Sequence, residues 1–308
     1  MQARLVRTAG FLGFLFIIIV IGRVVIVAQE PITGTWTADT QTQLKKNGEP
    51  RDGEIQLSFE RKRENGRSQH GQGYKFSDFN GLSREQTTNG KVHFSLVREA
   101  GTVDCDGTFT NGNGSGTFTF SPNKGFFDTM RSRGFDFEKT SDHGSSFEDR
   151  AFTAAMVNVT TALADDLLSA NFGDLDVDDL FKAAIFKIDG KFMAEMKATG
   201  FPNMTMESLV KARIFKIDAD YVRQIHDMGL DNRDFEQLVK FRIFKVTPEY
   251  LAELRNAGLS DLKAEDIVKC RIFNIDPEFV KKAKAEDPNV TIEDLVKMKI
   301  GVYRRKEI

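Results

Sequence analysis

The chain reads as an α+β multidomain protein: an N-terminal antiparallel β meander, forming a small barrel or sandwich, followed by an α-helical repeat (solenoid-like) domain. Three observations predict this. Apolar and polar residues alternate through residues 31–121. One phrase, Ile-Phe-Lys-Ile-Asp, recurs at a fixed step through the second half. Capping residues and glycines punctuate that half where short helices should begin and end.

Residues 1–28 come first. Arg4 and Arg7 precede an apolar run over residues 9–22, Arg23 interrupts it, and residues 24–28 resume it. This is the layout of a secretory signal, with Ile26-Val27-Ala28 as the cleavage site. The same 20 residues could also span a bilayer as an uncleaved anchor. Arg23 inside such a span would be costly, which favours cleavage. The absence of a nearby cysteine excludes a lipoprotein anchor.

Residues 31–121 form the predicted β-domain. Gly34-Thr35-Trp36-Thr37 opens it. Ile55, Leu57 and Phe59 alternate with polar residues, as do Val92, Phe94 and Leu96, then Val103, Cys105 and Phe109, then Phe118 and Phe120. About six strands are expected, with a hairpin turn within residues 111–116. Trp36 reads as a plug at a barrel end. Its Gly-x-Trp opening is shared with lipocalin-like barrels.

Residues 122–150 join the two halves. Phe126, Phe127, Met130 and Gly134 align with Tyr250, Leu251, Leu254 and Gly258, so the helical region starts with a half-repeat. A polar insertion over residues 138–146 follows, and the pattern resumes at Phe147.

Residues 151–308 carry the repeats, framed as 156–184, 185–213, 214–242, 243–271 and 272–299, with a C-terminal cap. Each is expected to hold two short helices. In the fourth, Thr247 is the N-cap, Pro248 the first helical residue and Gly258 the left-handed C′ residue. Asp189, Asp218 and Asp276 replace Thr247, and Gly200 and Gly229 replace Gly258. Second-helix caps fall at Asp176, Thr205, Asp234 and Thr291, whereas Lys263 is a poor cap. Phe186, Phe215, Phe244 and Phe273 should form a stacked aromatic ladder between repeats.

The phrases Val246-Thr247-Pro248-Glu249-Tyr250-Leu251 and Leu254-Arg255-Asn256-Ala257-Gly258-Leu259 resemble a known helical repeat of the G-V-T-P-E-Y type. It occurs in uncharacterised exported bacterial proteins and at the outer end of BlaR-type sensor-peptidases. The resemblance covers about residues 156–300 and implies export and a helical repeat build. Phe-Lys stands here where that repeat has His-Gly, so no role of the histidine carries over. The peptidase half has no counterpart, because no His-Glu-x-x-His occurs.

Chemistry finds little support. Cys105 and Cys270 read as buried free thiols in different domains. The histidines, His70, His93, His143 and His226, lack ligand spacing. Residues 174–179 imitate a calcium loop, but Asp179 and Ile185 stand where glycine and glutamate are needed. No catalytic residue, metal site or cofactor is predicted. The 43 basic and 45 acidic side chains argue against nucleic acid as a partner.

One regularity points to a surface. Lys211, Lys240 and Lys269 recur at 29 residues, as do Arg213, Arg242 and Arg271, and with Lys187, Lys216 and Lys245 they would form basic rows along the repeats. They either complement helix dipoles or dock an acidic partner. Glu207, Glu236 and Glu265 form a parallel acidic row. The expected function is an exported, non-enzymatic interaction or scaffold module. It would lie in the periplasm, or be held to the inner membrane by an uncleaved N-terminal anchor. Its partner would be another protein. The alternative is a lipocalin-like carrier whose β-domain encloses a small apolar ligand.

Overall fold

A computed structural model describes residues 32–40, 53–63, 66–139, 145–201, 204–230 and 234–302. The expectations on residues 1–28, on His143 and on the cap over residues 303–308 lie outside these. Among the described residues no helix is long and apolar enough to cross a membrane.

Alternation produces a sheet, as expected. Its strands are β1 (Ile32–Asp39), β2 (Glu54–Arg63), β3 (Gly66–Lys75), β4 (Phe79–Asn80), β5 (Asn89–Arg98), β6 (Gly101–Thr110) and β7 (Asn113–Pro122). The order is β3-β2-β1-β7-β6-β5-β4, antiparallel throughout. The sheet curls into a half-barrel with β3 and β4 as its edges. Asn111 and Gly112 both have positive φ, 49° and 79°, and make the two-residue β6–β7 turn. Residues 113–116, expected within that turn, already belong to β7.

Trp36 sits fully buried on the inner face, edge-on to Phe94 with centroids 5.2 Å apart. Its indole N–H donates to the Asp106 carbonyl at 3.2 Å. Glycine is required beneath it. A Cβ on Gly107 would come within 2.4 Å of the indole, and one on Gly116 within 1.9 Å of the Asp106 carbonyl oxygen. Gly107 and Gly114, whose Cβ would come within 2.8 Å of the indole, make room for the ring, and Gly116 opposite Gly107 lets the two backbones approach.

The half-barrel is filled from outside the sheet. Helix α1 (Lys124–Ser132) buries Phe126, Phe127 and Met130, and Gly134 follows with φ of 98°. Gly134 and Phe135 donate to the carbonyls of Arg131 and Met130, just as Gly258 and Leu259 donate to those of Arg255 and Leu254. This is the expected half-repeat. Helix α2 (Phe147–Met156) then packs on β6 and β7. Its Phe152 stacks on Phe118 at 5.1 Å and also meets Phe59, Phe120 and His70. Arg61 pairs with Asp149 at 2.7 Å, and Gln72 donates to the Met156 carbonyl. Sheet and helices therefore share one core.

Among the described residues ten helices follow: α3 (Thr161–Ser169), α4 (Val177–Phe186), α5 (Gly190–Ala198), α6 (Met206–Phe215), α7 (Ala219–Asp227), α8 (Phe235–Ile243), α9 (Pro248–Asn256), α10 (Ala264–Ile272), α11 (Pro277–Glu286) and α12 (Ile292–Lys299). The caps fall where their side chains allow. Asp189, Asp218, Thr247 and Asp276 each accept the N–H of the aromatic three residues on. Asp176, Thr205, Asp234 and Thr291 cap the second helices, and Lys263 makes no side-chain cap. Helices two apart in sequence touch: α4 with α6, α6 with α8, α8 with α10 and α10 with α12, and in the other layer α3 with α5, α5 with α7 and α9 with α11.

One expectation about the repeats is corrected. Among the described residues the rings of Phe186, Phe215, Phe244 and Phe273 make no ring-on-ring contacts; they are half-buried and pack against the hydrophobic core. Each is followed by a left-handed residue: Lys187, Lys216, Lys245 and Asn274 have φ of 51–54°, as Asn158 does at 57°. The chain reverses there between a second helix and the next first helix. Each ring thus stands at a reversal, next to the left-handed residue, and is only half-buried.

Candidate interaction surface

The even-numbered helices of the repeats present one solvent face, and its composition follows from helical spacing. On α6, Leu209 and Ala212 point inward and are fully buried. Ile214 lies five residues after Leu209, about 140° around the helix axis, so it points outward. The same offset exposes Ile185, Ile243, Ile272 and Ile300. Their exposures are 55%, 53%, 50%, 47% and 55% for Ile185, Ile214, Ile243, Ile272 and Ile300. Seven residues before each stands an acid: Asp178, Glu207, Glu236, Glu265 and Glu293. Three residues before each stands a lysine: Lys182, Lys211, Lys240, Lys269 and Lys297. The lysine row is thus longer than the three copies read from the sequence.

Lysine and acid rows zip together across helices. Lys182 pairs with Glu207 and Lys269 with Glu293, each at 2.5 Å, and Lys211 pairs with Glu236. Lys240 forms no ion pair among the described residues. The hydrogen bond from Lys182 holds the Glu207 carboxyl below its ordinary range, and the one from Lys269 does so for Glu293.

The arginine row does something else. Arg213 lies over the Phe192 ring at 3.7 Å, Arg242 over Tyr221 at 3.5 Å and Arg271 over Tyr250 at 3.5 Å. Lys299 takes the same place over Phe279 at 4.2 Å. Arg213 and Arg242 also donate to the carbonyls of the left-handed Lys187 and Lys216, at 2.8 and 2.6 Å. So the guanidinium ties a second helix to the first helix of its own repeat and closes the reversal before it.

The structure places the six predicted surface residues, Lys211, Lys240, Lys269, Arg213, Arg242 and Arg271, on one helix layer. Lys187, Lys216 and Lys245, read from the sequence as part of the basic rows, are exposed as well, whereas the isoleucine row went unread as surface. Its signal was present in the 29-residue recurrence, but an Ile-Phe pair reads as core, and the other isoleucine of the phrase, Ile188 or Ile217, is indeed buried.

Elsewhere the described residues offer little chemistry. No group of three metal-ligating side chains occurs among them. Both cysteines are buried and free. Burial raises both thiols, Cys270 to about 11. His93 pairs with Asp106 at 2.9 Å on the outer face of the sheet. Residues 174–179 line an open cleft of about 480 Å³ with Lys139 and Arg150, and there Asp176 and Asp179 are committed to capping α4.

Compared with known families the chain matches none, and no curated protein matches its sequence.

Proposed function

We propose that this chain is a non-enzymatic interaction or scaffold module, exported through its N-terminal segment, whose helical repeats form a solenoid that docks a protein partner. The observation that carries this is the row of five isoleucines, each about half exposed, at one position in successive repeats. Isolated surface apolar residues are ordinary, but a contiguous apolar row marks an interaction site. The ion-paired Lys–Glu rows beside it supply a polar rim. Occupation of the half-barrel by Trp36, Phe94, Phe118 and Phe152 supports the scaffold reading over a carrier. Export rests on Arg4, Arg7 and the apolar residues 9–28.

In-cell photocrosslinking tests the reading. Benzoylphenylalanine at Ile214 should yield a discrete adduct with another protein in the host. The same group at Val97, an exposed apolar residue of β5, should not. Equal labelling from both positions, or none from Ile214, would overturn it.

A further inference from the structure

We infer that the isoleucine row is a seat for one acidic amphipathic helix, gripped along its flank by Lys187, Lys216 and Lys245. This rests on the interaction-module reading and specifies its partner.

Four features of the row fix the kind of occupant. First is its length. Ile185, Ile214, Ile243, Ile272 and Ile300 sit on helices that pack side by side from α4 to α12. Packed helices lie ~8–10 Å apart, so four steps make about 32–40 Å. A helix of about 21 to 27 residues has that length. Second is its pitch. A helix returns to the same face every seven residues, about 10.5 Å, close to the step between isoleucines. Apolar side chains at i and i+7 of a partner would meet successive repeats, the groove mode of helix recognition.

Third is charge. Lys187, Lys216 and Lys245 each stand two residues beyond an isoleucine and are exposed. The carbonyls of Lys187 and Lys216 accept from Arg213 and Arg242, but the ammonium groups of all three lysines make no ion pair among the described residues. Each also holds a left-handed φ of 52–54°. Glycine would suit that backbone better, because a side chain there is strained. Three lysines kept at a strained position, beside an apolar row and unpaired, complement acidic residues bordering an apolar stripe.

Fourth is width. The acids Glu207, Glu236, Glu265 and Glu293 lie seven residues upstream of the isoleucines, about 10.5 Å along each helix. A helix about 10–12 Å across covers the isoleucines and reaches the left-handed lysines without lying over that acidic row. A flat anionic bilayer would lie over the acid row as well, where the Lys–Glu pairs leave little net positive charge to attract it.

The test uses the full chain in phosphatidylcholine nanodiscs. The probe is a designed 24-residue helix with leucines at heptad spacing and glutamates flanking them. It should bind, and the Ile214→Ser/Ile243→Ser and Lys216→Gln/Lys245→Gln variants should each weaken it at least tenfold while keeping wild-type helicity. Added salt should weaken the wild type and leave the lysine variant nearly unchanged. Binding no tighter than to a scrambled or lysine-flanked peptide would overturn the inference, yet leave the module reading intact if Ile214 still crosslinks a protein in cells. Benzoylphenylalanine at Ile214 reports the other occupants. Adducts with phosphatidylglycerol in anionic discs, or with a second copy of the chain, that the peptide does not displace would also overturn it.

Discussion

The Arg242 guanidinium lies over the Tyr221 ring, 3.5 Å from its centre, and donates to the Lys216 carbonyl at 2.6 Å. One side chain thus joins α8, α7 and the left-handed reversal before α7. The contact recurs with Arg213 and Phe192 and with Arg271 and Tyr250, so it is part of the repeat's construction.

Removing it should cost stability. Arg242→Gln loses the stacking and a charge-assisted hydrogen bond, together about 1–2 kcal/mol. Arg242→Lys should recover only part, because an ammonium cannot stack flat and donate in the same geometry. Lys240→Gln, on the same helix and without an ion pair, should change stability little. Urea denaturation of the three variants measures this. Equal costs for Arg242→Gln and Lys240→Gln would refute the division between a structural arginine row and a free lysine.

The left-handed lysines predict the opposite sign. Lys216→Gly relieves a backbone strain of roughly 1–2 kcal/mol, offset by glycine's greater freedom when unfolded, about 0.5–1 kcal/mol. The variant should be as stable as the parent or up to about 1 kcal/mol more stable. Lys216→Val, β-branched at positive φ, should be clearly destabilised. Thermal melts of the pair check both directions.

Parts of this construction were legible in the sequence for physical reasons. Thr247, Asp189 and Gly258 announce helix ends because few residues can cap or turn there. Ile55, Leu57 and Phe59 announce a strand because one face is buried. Strand β3 stayed unread because it is an edge strand with a polar sequence, and Tyr74 is its only deeply buried side chain among the described residues. The reversal at Lys216 was hidden because lysine is not a turn residue. The arginine row could be seen but not interpreted: equal spacing follows whether a residue packs within the repeat or faces a partner. Only the ring beneath Arg242 distinguishes the two.

Phe152 should couple the sheet to the helices. It is buried between Phe59, Phe118 and Phe120, so Phe152→Ala removes aromatic contacts and leaves a cavity, a loss of about 3–5 kcal/mol. Trp36 is the only tryptophan and lies in the sheet, so its fluorescence reports β-domain unfolding while far-ultraviolet dichroism reports the helices. In the parent the sheet and the first helices should melt together. In Phe152→Ala the tryptophan transition should move to lower denaturant ahead of the bulk of the helical signal. A fluorescence transition unmoved by the substitution would show that α2 does not support the sheet.

The last prediction concerns acid. The hydrogen bond from Lys182 lowers the Glu207 carboxyl below its ordinary 4.5 in the folded chain. A carboxyl depressed by folding adds stability that is complete above its unfolded value. That stability fades as pH falls through the folded value, because the unfolded chain takes up the proton first. The Lys182–Glu207 bridge should therefore hold α4 to α6 at neutral pH and release them progressively below about pH 4.5. Lys182→Met removes the partner but keeps the aliphatic stem, so Glu207 should titrate closer to its ordinary value. Between pH 6 and pH 3 the parent should then lose more stability than Lys182→Met, although other carboxylates, such as Asp165 beside Arg133, titrate in both. Glu293, lowered by Lys269, gives the same comparison at α10 and α12. Side-chain carbon shifts followed by NMR would read the Glu207 titration directly. Parallel stability curves for parent and Lys182→Met, with Glu207 titrating alike in both, would show that the zipped rows are surface decoration without thermodynamic weight.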